Sequence, residues 1–125
     1  MLSLGQDADA YCVIAASLGG LGDHEGAIRA ARQALELKPE FPEAWYNLGQ
    51  AYFETGRFEE TAASLERVFQ LGRGIPDAHL LLGLTFLKLG RESAALEQCE
   101  FLKRLDTGKE RELRDALAAV KPQSE

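Results

Sequence analysis

The chain has 125 residues, enough for one domain or for one domain with a tail. Hydrophobic residues make up 46% and charged residues 27%, a composition that excludes a disordered tail. The longest strongly apolar run, 80–84, is far shorter than the roughly 20 residues that a membrane-spanning helix needs. The formal net charge of −6 argues against nucleic acid as a partner, because nucleic-acid-binding proteins usually carry a basic face.

Glycines at a fixed spacing reveal an internal repeat. Gly22, Gly56 and Gly90 stand 34 residues apart, and each follows an apolar stretch and precedes a charged, helix-forming one. The same offset aligns seven further columns of similar size or polarity without an insertion: Tyr11/Trp45/His79, Ile14/Leu48/Leu82, Ala15/Gly49/Gly83, Leu18/Tyr52/Phe86, Ala27/Thr61/Ala95, Ala31/Leu65/Cys99 and Ala34/Val68/Leu102. This periodicity predicts a stack of repeats.

Each repeat is predicted to form two helices. In the second repeat, residues 45–52 place apolar and small side chains at i, i+3, i+4 and i+7, which is one face of a helix. Gly56 then marks a turn that only glycine adopts freely, and a second helix starts near Phe58. Pro42 and Pro76 suit the first turn of a helix, where the missing N–H costs nothing.

The stretch Pro-Glu-Ala-Trp-Tyr-Asn-Leu-Gly-Gln-Ala-Tyr at 42–52 resembles the tetratricopeptide repeat, whose 34-residue unit carries Trp-x2-Leu-Gly-x2-Tyr. The resemblance implies an all-α, right-handed superhelix of helix-turn-helix repeats at 8–41, 42–75 and 76–109, after an N-terminal extension at 1–7. In that extension, Leu2 and Leu4 either cover the first repeat or belong to an earlier repeat of a longer parent protein. Departures from the family pattern are confined to single positions: Tyr11, Ala15, Thr61, Arg73, His79 and Thr107.

The C-terminal segment continues the helical pattern. Leu113, Ala116, Leu117 and Val120 recur at i, i+3, i+4 and i+7, and the opposite side is charged. A stacked array needs a terminal helix with a polar outer side, so 110–121 is predicted to be a capping helix and 122–125 a frayed tail.

No enzyme, metal or cofactor motif is found. The glycine-rich run 19–26 lacks the Gly-x-Gly-x-x-Gly order and has no preceding strand, and His24 has no second histidine four residues on. Cys12 and Cys99 lie in different repeats and are not expected to pair; Cys99 is predicted to be a core residue, and His79 a core or interface residue and not a ligand. We therefore expect a non-enzymatic protein without catalytic residues, cofactor or metal. With two cysteines and no recognisable signal peptide, we expect it in the cytoplasm.

The family resemblance implies an adaptor or scaffold in which the first helices of successive repeats line a concave groove that binds a protein or peptide. The predicted partner-binding residues are Tyr46, Asn47, Gln50, Phe53, Glu54, Leu80, Leu81, Leu84, Leu87 and Lys88. The first repeat contributes small groove residues, Cys12, Val13, Ala16, Gly19 and Gly20. These residues either make room for a bulky ligand side chain or are covered by 1–7.

The helix that begins near Asp77 is apolar nearly all round, and its four groove leucines have more polar counterparts in the second repeat. One hypothesis is that Leu80, Leu81, Leu84 and Leu87 bind an apolar helix or strand of a partner. The alternatives are that they pack against the capping helix or against a second copy. The second function considered is self-association, in which Leu80, Leu84 and the N-terminal leucines would build a homodimer.

Charge on the predicted groove has two interpretations. Asp9, Glu43 and Asp77 occupy one column, where they would either guide a basic peptide or complement the dipoles of first helical turns. Some relatives bind the acidic C-terminal tails of heat-shock chaperones through Lys, Asn and Arg side chains. The equivalent positions here hold Cys12, Ala16, Asn47, Asp77 and Leu81. Only Asn47 fits that clamp, so we expect no binding to chaperone tails.

Overall fold

The protein is described by a computed structural model over residues 7–72 and 75–120. These residues divide between two compact units, one within 1–73 and the other within 74–125. Helices and their turns make up both described ranges, without a strand, so the predicted all-α fold is confirmed. Across these two ranges, every helix is too short or too polar to cross a membrane.

Unit 1 consists of four helices in two hairpins. They are α1 (Ala8–Gly20), α2 (His24–Leu37), α3 (Pro42–Glu54) and α4 (Phe58–Gln70). Short turns join α1 to α2 and α3 to α4, so each pair packs as antiparallel neighbours. Helix α3 also packs against both α2 and α1, which places α1 and α3 side by side on one face of the unit.

Unit 2 consists of a third hairpin and a final helix. The hairpin is α5 (Pro76–Lys88) and α6 (Glu92–Leu105), and α7 (Thr107–Ala119) packs against both. Helix α7 begins three residues before the predicted start at 110, because the Asp106 side chain accepts a hydrogen bond from the Lys109 backbone N–H at 3.1 Å and caps the helix. The predictions for Leu2, Leu4, Arg73 and the tail 122–125 fall outside the described residues.

The three hairpin turns share one hydrogen-bond pattern. Gly22, Gly56 and Gly90 have φ of +88°, +79° and +75°, in the left-handed region that favours glycine. The N–H of the residue after each glycine donates to the carbonyl five residues earlier, at 2.8 Å in every turn. This is the Schellman arrangement, and it confirms that the spaced glycines end the first helices.

The core repeats with the same period as the sequence. Four columns of the alignment are buried at every position: Ala15/Gly49/Gly83, Ala27/Thr61/Ala95, Ala31/Leu65/Cys99 and Ala34/Val68/Leu102. Small residues allow close approach of paired helices, as at Gly49, where an added Cβ would lie 3.3 Å from the Cβ of Ser64. Pro42 and Pro76 open α3 and α5 as predicted.

Candidate functional site

The predicted groove residues of α3 fall on two faces of the helix. Asn47, Gln50 and Glu54 line a cavity of about 310 Å³ that opens beside α1. Tyr46 and Phe53 are half-buried on a neighbouring face, where the ring of Phe53 packs edge-to-face on Phe58 at a centroid distance of 5.3 Å. The structure therefore brings together three of the five predicted residues of this helix.

Small residues and one histidine form the rest of the cavity wall. The end of α1 and the facing parts of α2 and α3 contribute side chains no larger than methyl groups: Ala15, Ala16, Gly19, Gly20, Ala27 and Ala51. His24, the first residue of α2, completes the lining. The sequence predicted space beside α1, but it gave no signal for His24, because only the hairpin turn brings the start of α2 to this wall.

Asn47 is held in place by α1. Its Nδ2 donates to the Cys12 backbone carbonyl at 3.4 Å and contacts Cys12 Sγ at 3.3 Å. Burial raises the pKa of the Cys12 thiol, although the hydrogen bond from Asn47 opposes this, so the thiol stays protonated and unreactive. The amide Oδ1 of Asn47 remains available as an acceptor.

His24 and Glu54 offer unused polar atoms at the cavity. The Nδ1 atom of His24 is buried and has no hydrogen-bond partner within the described ranges. Glu54 is exposed and makes no ion pair with any residue of those ranges. Because buried polar atoms are nearly always hydrogen-bonded, the His24 nitrogen is a candidate contact for a bound group.

The predicted leucine surface of unit 2 is largely covered by its own chain. Leu80, Leu84 and Leu87 are partly buried and pack on a cluster formed by α6 and α7. That cluster consists of Cys99, Leu102 and Leu113, flanked by Leu117. Leu81 is only 9% exposed, whereas Lys88 is exposed. These contacts correspond to one of the two alternatives that the sequence left open, packing against the terminal helix.

Leu113 is the residue through which α7 approaches α5 most closely. It is fully buried, and a Cβ added to Gly83 would overlap its side chain. Since a larger residue at 83 would push Leu113 away, Gly83 provides the notch into which α7 packs.

The acidic column is partly neutralised. Asp77 pairs with Lys109 of α7 at 3.1 Å, and this contact, together with the nearby Asp106, raises the pKa of the Lys109 ammonium. Asp9 donates its backbone N–H to the Asp7 side chain at 2.9 Å in the first turn of α1. Asp77 is therefore engaged within the chain and does not stand free as part of an acidic ladder.

His79 and Cys99 lie in the core of unit 2, as predicted. His79 is 7% exposed, its Nδ1 lies 2.8 Å from Gln98 Oε1, and its ring stacks on Phe101. Cys99 is fully buried and burial raises the pKa of its thiol; both it and Cys12 are free thiols. Within the described residues, no group of three or more His, Cys, Asp or Glu side chains is placed to hold a metal ion.

A second groove lies on the opposite side of α3, between α2 and α4, with a volume of about 750 Å³. Sequence reasoning missed it, because its central residue, Trp45, occupies a column that was assigned to packing. The Trp45 indole N–H donates to the Pro39 carbonyl at 2.9 Å, and the Arg67 guanidinium lies over the ring at 5.5 Å. These contacts engage the aromatic residue within the chain.

Comparison with known proteins identifies the repeat. A TPR repeat model matches residues 20–56 and a tetratricopeptide repeat model matches 42–71. The small glutamine-rich tetratricopeptide repeat-containing protein 2 of Mycosarcoma maydis is 36% identical over 53 residues, which span 42% of this chain and 15% of that protein. The chain thus matches only a small part of this relative.

Solved structures show the same fold. YrrB, described as a TPR protein with an unusual peptide-binding site, superposes with a TM-score of 0.77 and 25% identity over 82% of this chain and 53% of YrrB. The first TPR domain of Spaghetti (RPAP3), bound to the HSP90 peptide SRMEEVD, gives a TM-score of 0.79 at 21% identity, covering 92% of this chain and 96% of that one. The two family models lie within 20–71, on helices α2 to α4, and TPR proteins of known structure match most of the chain, so the protein carries tetratricopeptide repeats and has the fold of tetratricopeptide repeat proteins.

Proposed function

We propose that the protein is a non-catalytic adaptor that binds a peptide or helix of a partner protein on the α1–α3 face of unit 1. The observation that carries this proposal is the cavity on that face, where Asn47, Gln50 and Glu54 present polar groups beside a wall of small residues. Peptide binding by YrrB and by the RPAP3 domain supports the same use of the fold. Such sites combine apolar walls with a few polar groups that fix orientation.

Tyr46 and Phe53 extend this proposed surface along α3. Both are half-buried, so each retains an accessible edge while its body is held by the unit. Aromatic residues of this kind supply much contact area at little conformational cost, which suits them to a peptide interface.

In unit 2 we propose a second, weaker contact surface. Leu80, Leu84 and Leu87 keep part of their surface accessible beside the exposed Lys88, whereas Leu81 is buried. Full burial of one leucine is worth about 1.5–3 kcal/mol, and α7 already provides part of that burial. A partner would therefore gain less from this surface than four exposed leucines would offer.

The proposal includes a cytoplasmic location and no affinity for acidic chaperone tails. Helices α1 and α3 contain no lysine or arginine, so the α1–α3 face lacks the cations that would hold a pair of carboxylates. The homodimer remains the alternative function, and it would use the leucine surface of unit 2.

Selection from a random peptide library displayed on phage tests the proposed function. Peptides that bind the immobilised full chain would be synthesised and titrated by fluorescence anisotropy against the unmodified protein and two variants. We expect Gln50→Arg to weaken binding at least ten-fold, because the larger cation would obstruct the cavity mouth. The same change at Gln33, an exposed residue of α2 outside the cavity lining, serves as the matched control.

The outcomes of this experiment are distinct. Weakened binding to Gln50→Arg with unchanged binding to Gln33→Arg supports the site. Equal binding to both variants, or no enriched peptide, contradicts it. Light scattering over a hundredfold concentration range tests the alternative, since a constant monomer mass excludes a homodimer and a mass that doubles with concentration supports one.

A further inference from the structure

We propose that the cavity between α1, α3 and the start of α2 is a pocket for a lysine or arginine side chain, so that the partner is a basic peptide. This inference rests on the proposed function and adds the chemical class of the ligand. It uses the cavity shape, the unused polar atoms and the charge of the two lining helices.

The wall of the cavity suits the aliphatic part of a long cationic side chain. Alanine methyl groups and glycine backbone form most of the surface, and they leave an opening of about 310 Å³. Lysine and arginine bury their methylene stems against such apolar walls and keep the charged end at a polar site.

The Gln50 amide at the cavity both donates and accepts, and Asn47, His24 and Glu54 each offer a further acceptor. The Nδ2 donor of Asn47 is already used on Cys12, which leaves its Oδ1 for a ligand. The buried Nδ1 of His24 has no partner within the described ranges and is an acceptor in the tautomer that carries its proton on Nε2. The Glu54 carboxylate is unpaired within the same ranges. A guanidinium or ammonium group consists only of donors and complements this set.

The negative charge of α1 and α3 also favours a positively charged ligand. Helices α1 and α3 carry Asp9, Glu43 and Glu54 and no basic residue. An acidic ligand would meet repulsion there, whereas a cationic one would be placed to pair with the exposed Glu54 carboxylate. Charge complementarity therefore favours a cationic segment of the partner over an acidic or purely apolar one.

The test uses the peptides selected on phage against the full chain. We expect enrichment of Arg or Lys at one position, and replacement of that residue by Gln in the synthetic peptide should raise Kd at least five-fold. In the protein, Glu54→Gln should raise Kd about five-fold, in the range measured for partly exposed charge pairs. Ala16→Leu, which fills the cavity from α1, should raise Kd more than ten-fold.

Matched controls separate pocket effects from general ones. Glu97→Gln on α6 makes the same change in net charge, and Ala118→Leu on α7 adds the same side chain at an exposed helical position. Both should leave Kd unchanged, and circular dichroism confirms that all variants fold.

Two results overturn the inference while leaving the proposed function intact. One is enrichment of acidic or apolar peptides without a basic residue that still fail to bind Gln50→Arg. The other is a basic peptide whose Kd changes equally with Glu54→Gln and Glu97→Gln. Absence of any enriched peptide contradicts both the proposed function and the pocket.

Discussion

Leu113→Ala should destabilise unit 2 by about 3 kcal/mol. Leu113 is fully buried and lies against Gly83. It forms a cluster with Cys99 and Leu102, on which the partly buried leucines of α5 pack. The substitution removes about three carbon atoms from the core at ~0.8 kcal/mol each, and the space left behind adds a cavity cost that brings leucine-to-alanine changes to roughly 2–5 kcal/mol.

Urea unfolding followed by far-UV circular dichroism measures this change. With a typical slope of about 1–3 kcal/mol/M, the transition should move to lower urea by at least ~1 M. Leu117→Ala on the same helix is the matched control, because Leu117 flanks the cluster and is only partly buried. We expect it to cost about 1 kcal/mol.

A double-mutant cycle with Gly83 measures the contact between α5 and α7 directly. Gly83→Ala alone should cost about 1 kcal/mol, since overpacking against Leu113 at ~1–3 kcal/mol outweighs a gain of up to ~1 kcal/mol in helix propensity. In the Leu113→Ala background the overlap is gone, and Gly83→Ala should stabilise the protein. The predicted coupling is about 2 kcal/mol. Additive effects, or a loss for Leu113→Ala no larger than for Leu117→Ala, would refute the packing of α7 into this notch.

Three further outcomes are expected. Gln98→Leu should lower the free energy of unfolding by about 1–3 kcal/mol in thermal or urea melts, because it removes the 2.8 Å contact between Gln98 Oε1 and the buried His79 Nδ1. An unchanged free energy of unfolding would show that this contact contributes nothing to stability. Burial raises the pKa of the Cys12 and Cys99 thiols, so the unfolded chain, whose thiols ionise near about 8.5, should lose protons first. The resulting stabilisation is present below that pH and should be lost as pH rises through the pKa of the folded protein, which urea melts from pH 7 to 10 would measure. Replacing both cysteines with alanine should reduce this pH dependence of the free energy of unfolding. An unchanged dependence would show that the two thiols do not cause it. A fluorescent peptide that ends in an acidic chaperone-type tail should give no anisotropy change up to about 100 μM protein. Micromolar binding would contradict the proposal that the α1–α3 face has no affinity for acidic tails.

The periodic features of the fold could be predicted from the sequence. The 34-residue spacing of Gly22, Gly56 and Gly90 placed three turns whose geometry requires positive φ, and this requirement is local. Pro42 and Pro76 marked helix starts for an equally local reason. The helix hairpins could therefore be predicted from local turn and helix-start residues together with the 34-residue period.

The environment of the leucines could not be predicted in the same way. An all-round apolar helix shows that α5 is covered on several sides, but the sequence pattern does not identify what covers it. The structure shows that α7 packs on Leu80, Leu84 and Leu87 and that Lys109 pairs with Asp77. Both contacts join residues that are far apart in sequence, so helical periodicity contains no information about them.

The candidate site was predictable only in part. Asn47, Gln50 and Glu54 follow from helical spacing on α3, and the small residues of α1 indicated space beside them. His24 could not be placed there, because the hairpin turn determines which side of α2 faces the cavity. The separation of Tyr46 and Phe53 from the cavity likewise depends on the rotation of α3 against its neighbours.

The most direct test of the account is a titration of the ¹⁵N-labelled full chain with a phage-selected peptide, followed by two-dimensional NMR. The account predicts that the largest amide shifts fall on the cavity lining of α1 and α3, at residues such as Ala16, Gly20 and Gln50, and that they diminish when Ala16→Leu fills the cavity. Shifts concentrated around Trp45 and Arg67, in the groove between α2 and α4, would contradict the claim that the α1–α3 face is the binding site.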